Sequence, residues 1–437
     1  MRAGRTASGR LPDVTTSDLT VTRLLADHAR TLRHPPRVVA SGNAAVPWYL
    51  LGLVDGALEN FVLHLLNAPA GIPSRDGVVH ETCFVGPGMR LSPSLSYVPA
   101  RLSLVPRLFA TTLPPDVVCL HVSRPRRGTV SMGTEVNVLP SAVEACRARG
   151  GLVLAQVNPA MPYTFGDGEL ALDELDGIVE ADQPLGGPHA ASGAVGALPA
   201  IADEAAAVIG DLVAARVGDG ATLQLGIGAV PDATLSGLAA RRRLGVWSEM
   251  VSDGLLALRE AGALDPDRTV VSSFVVGSEE LYRWLDQNPA VRLLRTETTN
   301  APAAIAANPA MTSINTALQV DLFGQANASR IDARIHSGFG GQTDFIVGAL
   351  HSPGGQALMA LRSWHPKADV STIVPLLDEP VTSFQHTAVV TEQGVAPIVG
   401  HDERTQALHL IERAAHPDVR DELREEAAGL GLLPRAV

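Results

Sequence analysis

The sequence predicts an α/β protein made of two halves, each with a mostly parallel sheet, and three observations carry that reading. Short, largely apolar runs of strand length recur in the first half, at Phe61 to Leu66, Val117 to Val122 and Leu152 to Val157, with helical segments such as Ser141 to Arg149 between them. One grammar of strand, glycine turn and helix occurs twice, once in each half. The 437 residues also exceed the size at which a single hydrophobic core usually stops growing.

In chain order, residues 1–20 carry Arg2, Arg5 and Arg10 without an apolar run of signal-peptide length, and read as a loose tail. A helix is expected from about Thr22. Arg37 to Gly42 then reads as a strand running into a glycine turn, with a helix beginning near Val46-Pro47. The segment from Gly186 to Gly193 turns to small residues, glycine and proline, which marks a linker and divides the chain into an N-terminal unit, 21–188, and a C-terminal unit, 189–437. A helix follows over Ala200 to Val217, stopped by Gly218 or Gly220. Strand and helix then alternate to about Ile398, and final helices span Glu403 to Ala415 and Pro417 to Leu430.

Composition excludes several classes. Apolar residues make up 46%, as in ordinary globular proteins, and the net charge is −12 with no lysine or arginine stripe. Neither nucleic acid nor an anionic membrane is therefore an expected partner. Arg241-Arg242-Arg243 reads as a solvated helix end or, less simply, as a contact to the phosphates of a cofactor. Cys83, Cys119 and Cys146 are too few and too irregular for a disulfide framework or a metal site, and suit buried positions in a reducing, cytoplasmic setting. His336, His365, His386 and His401 have no metal-ligand spacing, so no metal is expected. No G-x-S-x-G is present, which argues against a serine hydrolase of the nucleophile-elbow kind.

Chemistry is concentrated at 222–254. Ala221 to Leu225 reads as a buried strand, Gly226-Ile227-Gly228 forces a tight turn, and Pro231 stands where a helix would place its first residues. Such a loop lets backbone N–H groups approach an anion. Some twenty residues on, Glu249 is a lone carboxylate in an otherwise neutral, partly apolar segment ahead of the polar turn Ser252-Asp253-Gly254, either a structural anchor or a reactive group. Asp253, Asp321, Asp344 and Glu392 suit the orienting of loops through backbone N–H groups.

The words LGIGAVPDA and WSEMVSDG, with SINTALQVDLFGQANA (313–328), SGFGGQTDF (337–345) and VVTEQGVA (389–396), resemble the acetyl-CoA hydrolase/transferase family, which includes 4-hydroxybutyrate, succinate:acetate and propionate CoA-transferases. The resemblance spans about two thirds of the chain. It implies two α/β domains of the CoA-transferase type with the site between them, a homodimer, and coenzyme A as substrate and covalent partner. It implies that Glu249 is the nucleophile, opening an acyl-CoA thioester and passing CoA to a small or medium carboxylic acid by ping-pong kinetics. It implies further that Gly226, Ile227, Gly228, Ala229 and Val230 lie against CoA, that Leu318, Gly338 and Gly340 stand near it, and that the N–H of Gly341 serves an oxyanion.

Four departures bear on the substrate. Trp247 stands where the family usually has histidine, which fits an enlarged, apolar acyl pocket. Thr372 and Gln385 replace arginines that would grip carboxylate or phosphate. The loop Arg124 to Arg127 is basic where the family is usually acidic, which suits an acyl chain held on an acidic carrier protein's phosphopantetheine arm. An acyl-CoA hydrolase and a non-catalytic CoA-binding relic are further readings, and the sequence does not separate hydrolase from transferase, since one nucleophile serves both.

Overall fold

Strands buried on both faces show apolar side chains at every position, and those at 117–122 and 152–157 do so almost throughout. In the computed structural model, which describes residues 15–185, 204–226, 229–383 and 385–434, they pair in parallel at the middle of a seven-stranded sheet. The order across it is 95–97, 78–82, 61–64, 37–40, 117–122, 152–157 and 177–180, with every neighbour parallel. Chain progress reverses at strand 37–40, so a topological switch point opens at its carboxyl end.

The second sheet follows the same logic. Its order is 245–246, 222–224, 311–315, 356–360, 388–391 and 394–397, parallel except for the closing antiparallel pair. The reversal comes at strand 222–224. Alternation of side chains splits the burial between two faces: Ala357 and Met359 enter one cluster, Leu358 and Ala360 another.

The cores of the two halves merge. One cluster takes Val118, Leu120 and Val136 from the first half together with Leu223, Leu255 and Leu293 from the second. Single bridges from Glu135 to Phe274 and from Gly166 to Leu293 stitch the backbones there. Arg295 adds a polar clasp: its guanidinium donates to both Glu144 oxygens at 2.8 Å, to Glu297 and to the Ser141 hydroxyl. The segment after it, Thr296–Thr299, is thereby held against the helix Leu139–Arg147.

Several boundaries move for local reasons. The first helix is Asp18–Thr31, starting inside the span 1–20 read as a tail, because the Ser17 hydroxyl accepts from the Thr20 N–H and caps it. The helix after the glycine loop is Ala229–Leu238, so Pro231 is its third residue, still within the turn whose N–H groups need no partner. The C-terminal run is Glu403–His409, a π turn over Leu410–Ala414, and Arg420–Gly429. The linker expected at 186–193 and the loop residues Ile227 and Gly228 lie outside the described residues.

Replacing Arg295 with Met removes a partly buried, charge-assisted clasp. Arg295→Met is expected to lower the stability by about 1–2 kcal/mol, read as a fall in the urea midpoint. An unchanged midpoint would mean that the merged apolar core alone holds the halves together.

Candidate active site

The carboxyl ends of the two sheets face each other across a cavity of about 310 Å³. Asn43 follows strand 37–40, Asn67 follows 61–64 and Phe84 follows 78–82; opposite them stand Gly226, Asn315 and Glu249. Both switch points thus open into one space.

Glu249 occupies the two-strand gap between Gly245–Val246 and Met250–Val251. Its backbone is clamped, the carbonyl accepting from the Ser273 and Phe274 N–H groups at 2.9 and 3.0 Å. The buried Ser248 hydroxyl ties this turn to the glycine loop, accepting from the Leu225 N–H at 3.0 Å and donating to the Met250 carbonyl at 2.6 Å. With the backbone fixed, the side chain is left to project into the cavity, where Asn300 Nδ2 donates to Glu249 Oε2 at 2.5 Å.

A glycine is required beside it. A Cβ on Gly341 would overlap Glu249 Oε2 and Asn300 Nδ2, so the absent side chain is what lets the carboxylate sit there. Gly341 is the N-cap of the helix Gln342–His351, whose first-turn N–H groups favour negative charge. The loop ahead of it is pinned to the first half: Leu102 N–H donates to the Gly340 carbonyl at 3.0 Å, Val85 N–H to Ser337 at 2.8 Å, and Gly338 packs against Cys83 and Phe84. Gly340, at φ +55°, occupies the left-handed region.

Burial pushes the Glu249 carboxyl up to about 7, against the Asn300 hydrogen bond and with help from the Asp344 charge. A second carboxyl, Glu135, is wholly buried nearby and is pushed up to about 8 by burial, against donation from Asn43 and Asn137 and with help from Glu249. None of the described residues lining the cavity is cationic. A carboxylate there has the Asn300 amide and a helix end for neighbours, with no counter-charge among the described lining residues, which suits a nucleophile.

The structure sorts the sequence candidates. Gly226, Gly338, Gly340, Gly341 and Glu249 line the cavity together. Ala229 opens the following helix, Val230 packs toward the second sheet, and Leu318, partly exposed, does not line the cavity wall. Asp253, Asp321 and Glu392 hold loops through the N–H groups of Ser278, Phe323 and Ser363. Trp247 is corrected: it does not line the cavity but packs behind it, its indole N–H donating to the Thr299 carbonyl at 2.9 Å and so bracing the segment that presents Asn300. The basic loop lines a separate cavity of about 940 Å³ with Arg283 and Tyr163. Sequence reasoning missed Asn300, Asn43, Asn67, Asn137 and Glu135.

A family model for the acetyl-CoA hydrolase/transferase C-terminal domain matches residues 277–427. The 4-hydroxybutyrate coenzyme A transferase of Clostridium kluyveri is 37% identical over 413 residues, covering 89% of this chain and 93% of that protein. The chain belongs to the acetyl-CoA hydrolase/transferase family. It is therefore an enzyme. Another family relative, the succinyl-CoA:acetate/propanoyl-CoA:succinate CoA transferase of Fasciola hepatica, is 34% identical and covers 91% of this chain and 85% of its own. RipA from Yersinia pestis superposes with a TM-score of 0.84 at 27% identity, covering 96% of this chain and 100% of that one. A 4-hydroxybutyrate CoA-transferase from Porphyromonas gingivalis gives 0.75 at 30%, covering 94% and 97%. The family fold of two α/β halves with mostly parallel sheets is thus the fold expected from the sequence.

The raised carboxyl has a consequence for stability. Its folded value, about 7, lies above the ordinary 4.5, so its contribution is full below about 4.5 and is lost as pH climbs through about 7. Glu249→Gln keeps an acceptor for Asn300 and removes the charge. The variant is expected to melt roughly 1–3 °C above the native enzyme at pH 8, with the gap closing by pH 4.5. A variant that melts lower at pH 8 would show that the native site stabilises the anion.

Proposed function

We propose that this enzyme is an acyl-CoA:carboxylate CoA-transferase that carries CoA as a thioester on Glu249. The observation supporting it most directly is the placement of Glu249 Oε2 against Asn300 Nδ2 and the side-chain-free Gly341, at the wall of a cavity between two switch points. Its relatives named as CoA-transferases agree with that reading.

The ionised Glu249 attacks the thioester carbonyl of the acyl-CoA. A carbon–oxygen bond forms, the carbon–sulfur bond breaks, and a mixed anhydride and CoA thiolate result. The thiolate then attacks the Glu249 carboxyl carbon and expels the first acid as its carboxylate, leaving glutamyl-CoA. An incoming carboxylate repeats both steps in reverse and leaves with CoA, returning Glu249 as an anion. Each addition puts negative charge on an oxygen, and this reading assigns its stabilisation to the Asn300 amide, which already donates to Glu249, and to the backbone N–H groups of Gly341 and the first turn of the helix it caps. Water resolving the same intermediate would make the enzyme a hydrolase, as in the acetyl-CoA hydrolase of Candida albicans, 30% identical over 206 residues.

Incubation with acyl-CoAs, reduction with borohydride and peptide mass spectrometry test the covalent step. A Glu249 side chain reduced to an alcohol is expected, and its absence with every acyl-CoA would sink the reading. Only the ionised carboxylate attacks, so the rate of glutamyl-CoA formation is expected to fall as pH drops through about 7. A flat rate from pH 5 to 8 would contradict the raised value. Gly341→Ala displaces the carboxylate and is expected to lower that rate by about 100-fold while the protein stays folded by circular dichroism. A near-native rate would show that the loop gives way to the methyl group.

A further inference from the structure

Close to Glu249 the site keeps another buried carboxylate that takes no part in the transfer steps. Asp344 is the third residue of the helix Gln342–His351, one turn after Gly341, whose backbone lies against Glu249 Oε2. Side chains three apart on a helix are neighbours, so Asp344 stands within electrostatic reach of Glu249, and its charge acts there. Asp344 itself is wholly buried. Oδ1 accepts from Arg101 Nη1 of the first half at 3.4 Å, while Oδ2 has no partner of hydrogen-bonding geometry among the described residues. A buried carboxylate oxygen without a partner is a costly arrangement and calls for a reason. The Arg101 side chain is 42% exposed, so water screens it and leaves much of the Asp344 charge uncompensated. Arg101 and nearby Ser103 still oppose the burial of Asp344, whose charge acts on Glu249 without an effect of Glu249 in return; Asp344 is the first of the two to ionise. Glu135, the other carboxyl coupled to Glu249, keeps its proton to about 8 and is neutral as Glu249 ionises at about 7.

We propose that Asp344 favours the loading of CoA by repelling the Glu249 anion, a repulsion that is relieved when Glu249 becomes the neutral glutamyl-CoA thioester. The inference rests on the transferase reading of Glu249 given above. In loading, the carbon–sulfur bond of the acyl-CoA breaks and the sulfur joins the Glu249 carboxyl carbon. One Glu249 oxygen leaves in the released acid, which carries the negative charge away; one carboxylate is consumed and one is formed. The Asn300 amide and the helix end by themselves would stabilise the resting anion against that change. Asp344 offsets them and brings the free and loaded enzyme closer in energy. It touches no reacting atom and acts through Glu249 as a positioning residue whose lever is charge. Protonation and loading both replace the Glu249 anion with a neutral group, so the Asp344 charge favours both alike. Removing that charge must then weaken both by the same factor.

That equality is the test. Native enzyme and Asp344→Asn, which keeps an acceptor for Arg101 and loses the charge, are equilibrated with an acyl-CoA and its free acid between about pH 5.5 and 9, where the acid is largely ionised. Acetyl-, butyryl- and 4-hydroxybutyryl-CoA are the probes, and intact-protein mass spectrometry reads the fraction of chains carrying CoA. The fraction rises with pH as Glu249 ionises, so one curve yields both the midpoint of that ionisation and, from its plateau, the equilibrium constant for loading. In Asp344→Asn the plateau constant is expected to fall by about three- to tenfold and the midpoint by a matching amount, roughly half to one pH unit. Asp344→Ser, also neutral, is expected to show the same paired change and stands in if the asparagine variant does not fold. A fall in one quantity without the other would overturn the proposal. So would a slower approach to an unchanged equilibrium at an unchanged midpoint, which would make Asp344 an anchor for the helix and nothing more. Native enzyme that takes up CoA from none of the three probes would remove the transferase reading itself, and this inference with it.

Discussion

A carboxylate held without a counter-ion is the constraint on which the structure turns. Glu249 meets amide donors and a helix end, while burial and the Asp344 charge work against its ionisation. An arginine beside it would stabilise the anion and lower its nucleophilicity together. The site instead surrounds the carboxylate with dipoles, which in the proposed mechanism serve the oxyanions as readily as the resting charge. Everything near it is arranged to hold those dipoles still: Ser248 links two loops, Trp247 braces the carbonyl ahead of Asn300, and Arg295 fixes the start of the same segment.

This arrangement requires both halves of the chain. Glu249 and Asn300 come from the second half, yet the loop carrying Gly341 is pinned by Leu102 and Val85 of the first. Merged cores make that pinning rigid. A hinge between independent halves would leave the spacing of Gly341 and Glu249 to chance, and at that spacing there is no room even for a methyl group.

The fold was largely legible because its signals are local. Buried parallel strands show as the runs 117–122 and 152–157, and glycine turns show at Gly42 and Gly226. Glu249, Gly338 and Gly341 were legible through the words around them. Asn300 was not, since an Asn after TETT has nothing local to distinguish it, and its contact exists only where the segment braced by Trp247 meets Glu249. Glu135 was hidden for a similar reason: a carboxylate in a run of small polar residues reads as surface, and only the bridge to Phe274 buries it. Asn43 and Asn67 did leave a trace. Asn67 directly follows the apolar run 61–66, and Asn43 follows strand 37–40 after Ser41-Gly42, places where the left-handed backbone favours asparagine among residues with a side chain. Trp247 shows the opposite error, since a bulky residue two positions from Glu249 suggests the pocket, whereas both lie in the break between the strands Gly245–Val246 and Met250–Val251, where period-two alternation does not hold and the indole packs against the second-half core.

Two buried carboxyls, Glu135 and Glu249, meet at this site without exchanging roles. Glu135 accepts from the amides of Asn43 and Asn137, and the charge of Glu249 adds to the burial that raises its hold on a proton. Glu249, at about 7, gives up its proton before Glu135, at about 8, so on that side Glu249 takes its charge beside a neutral neighbour rather than a second anion. The asparagine amides around Glu135 give that wall its polarity, with no cation among the described residues that line the cavity.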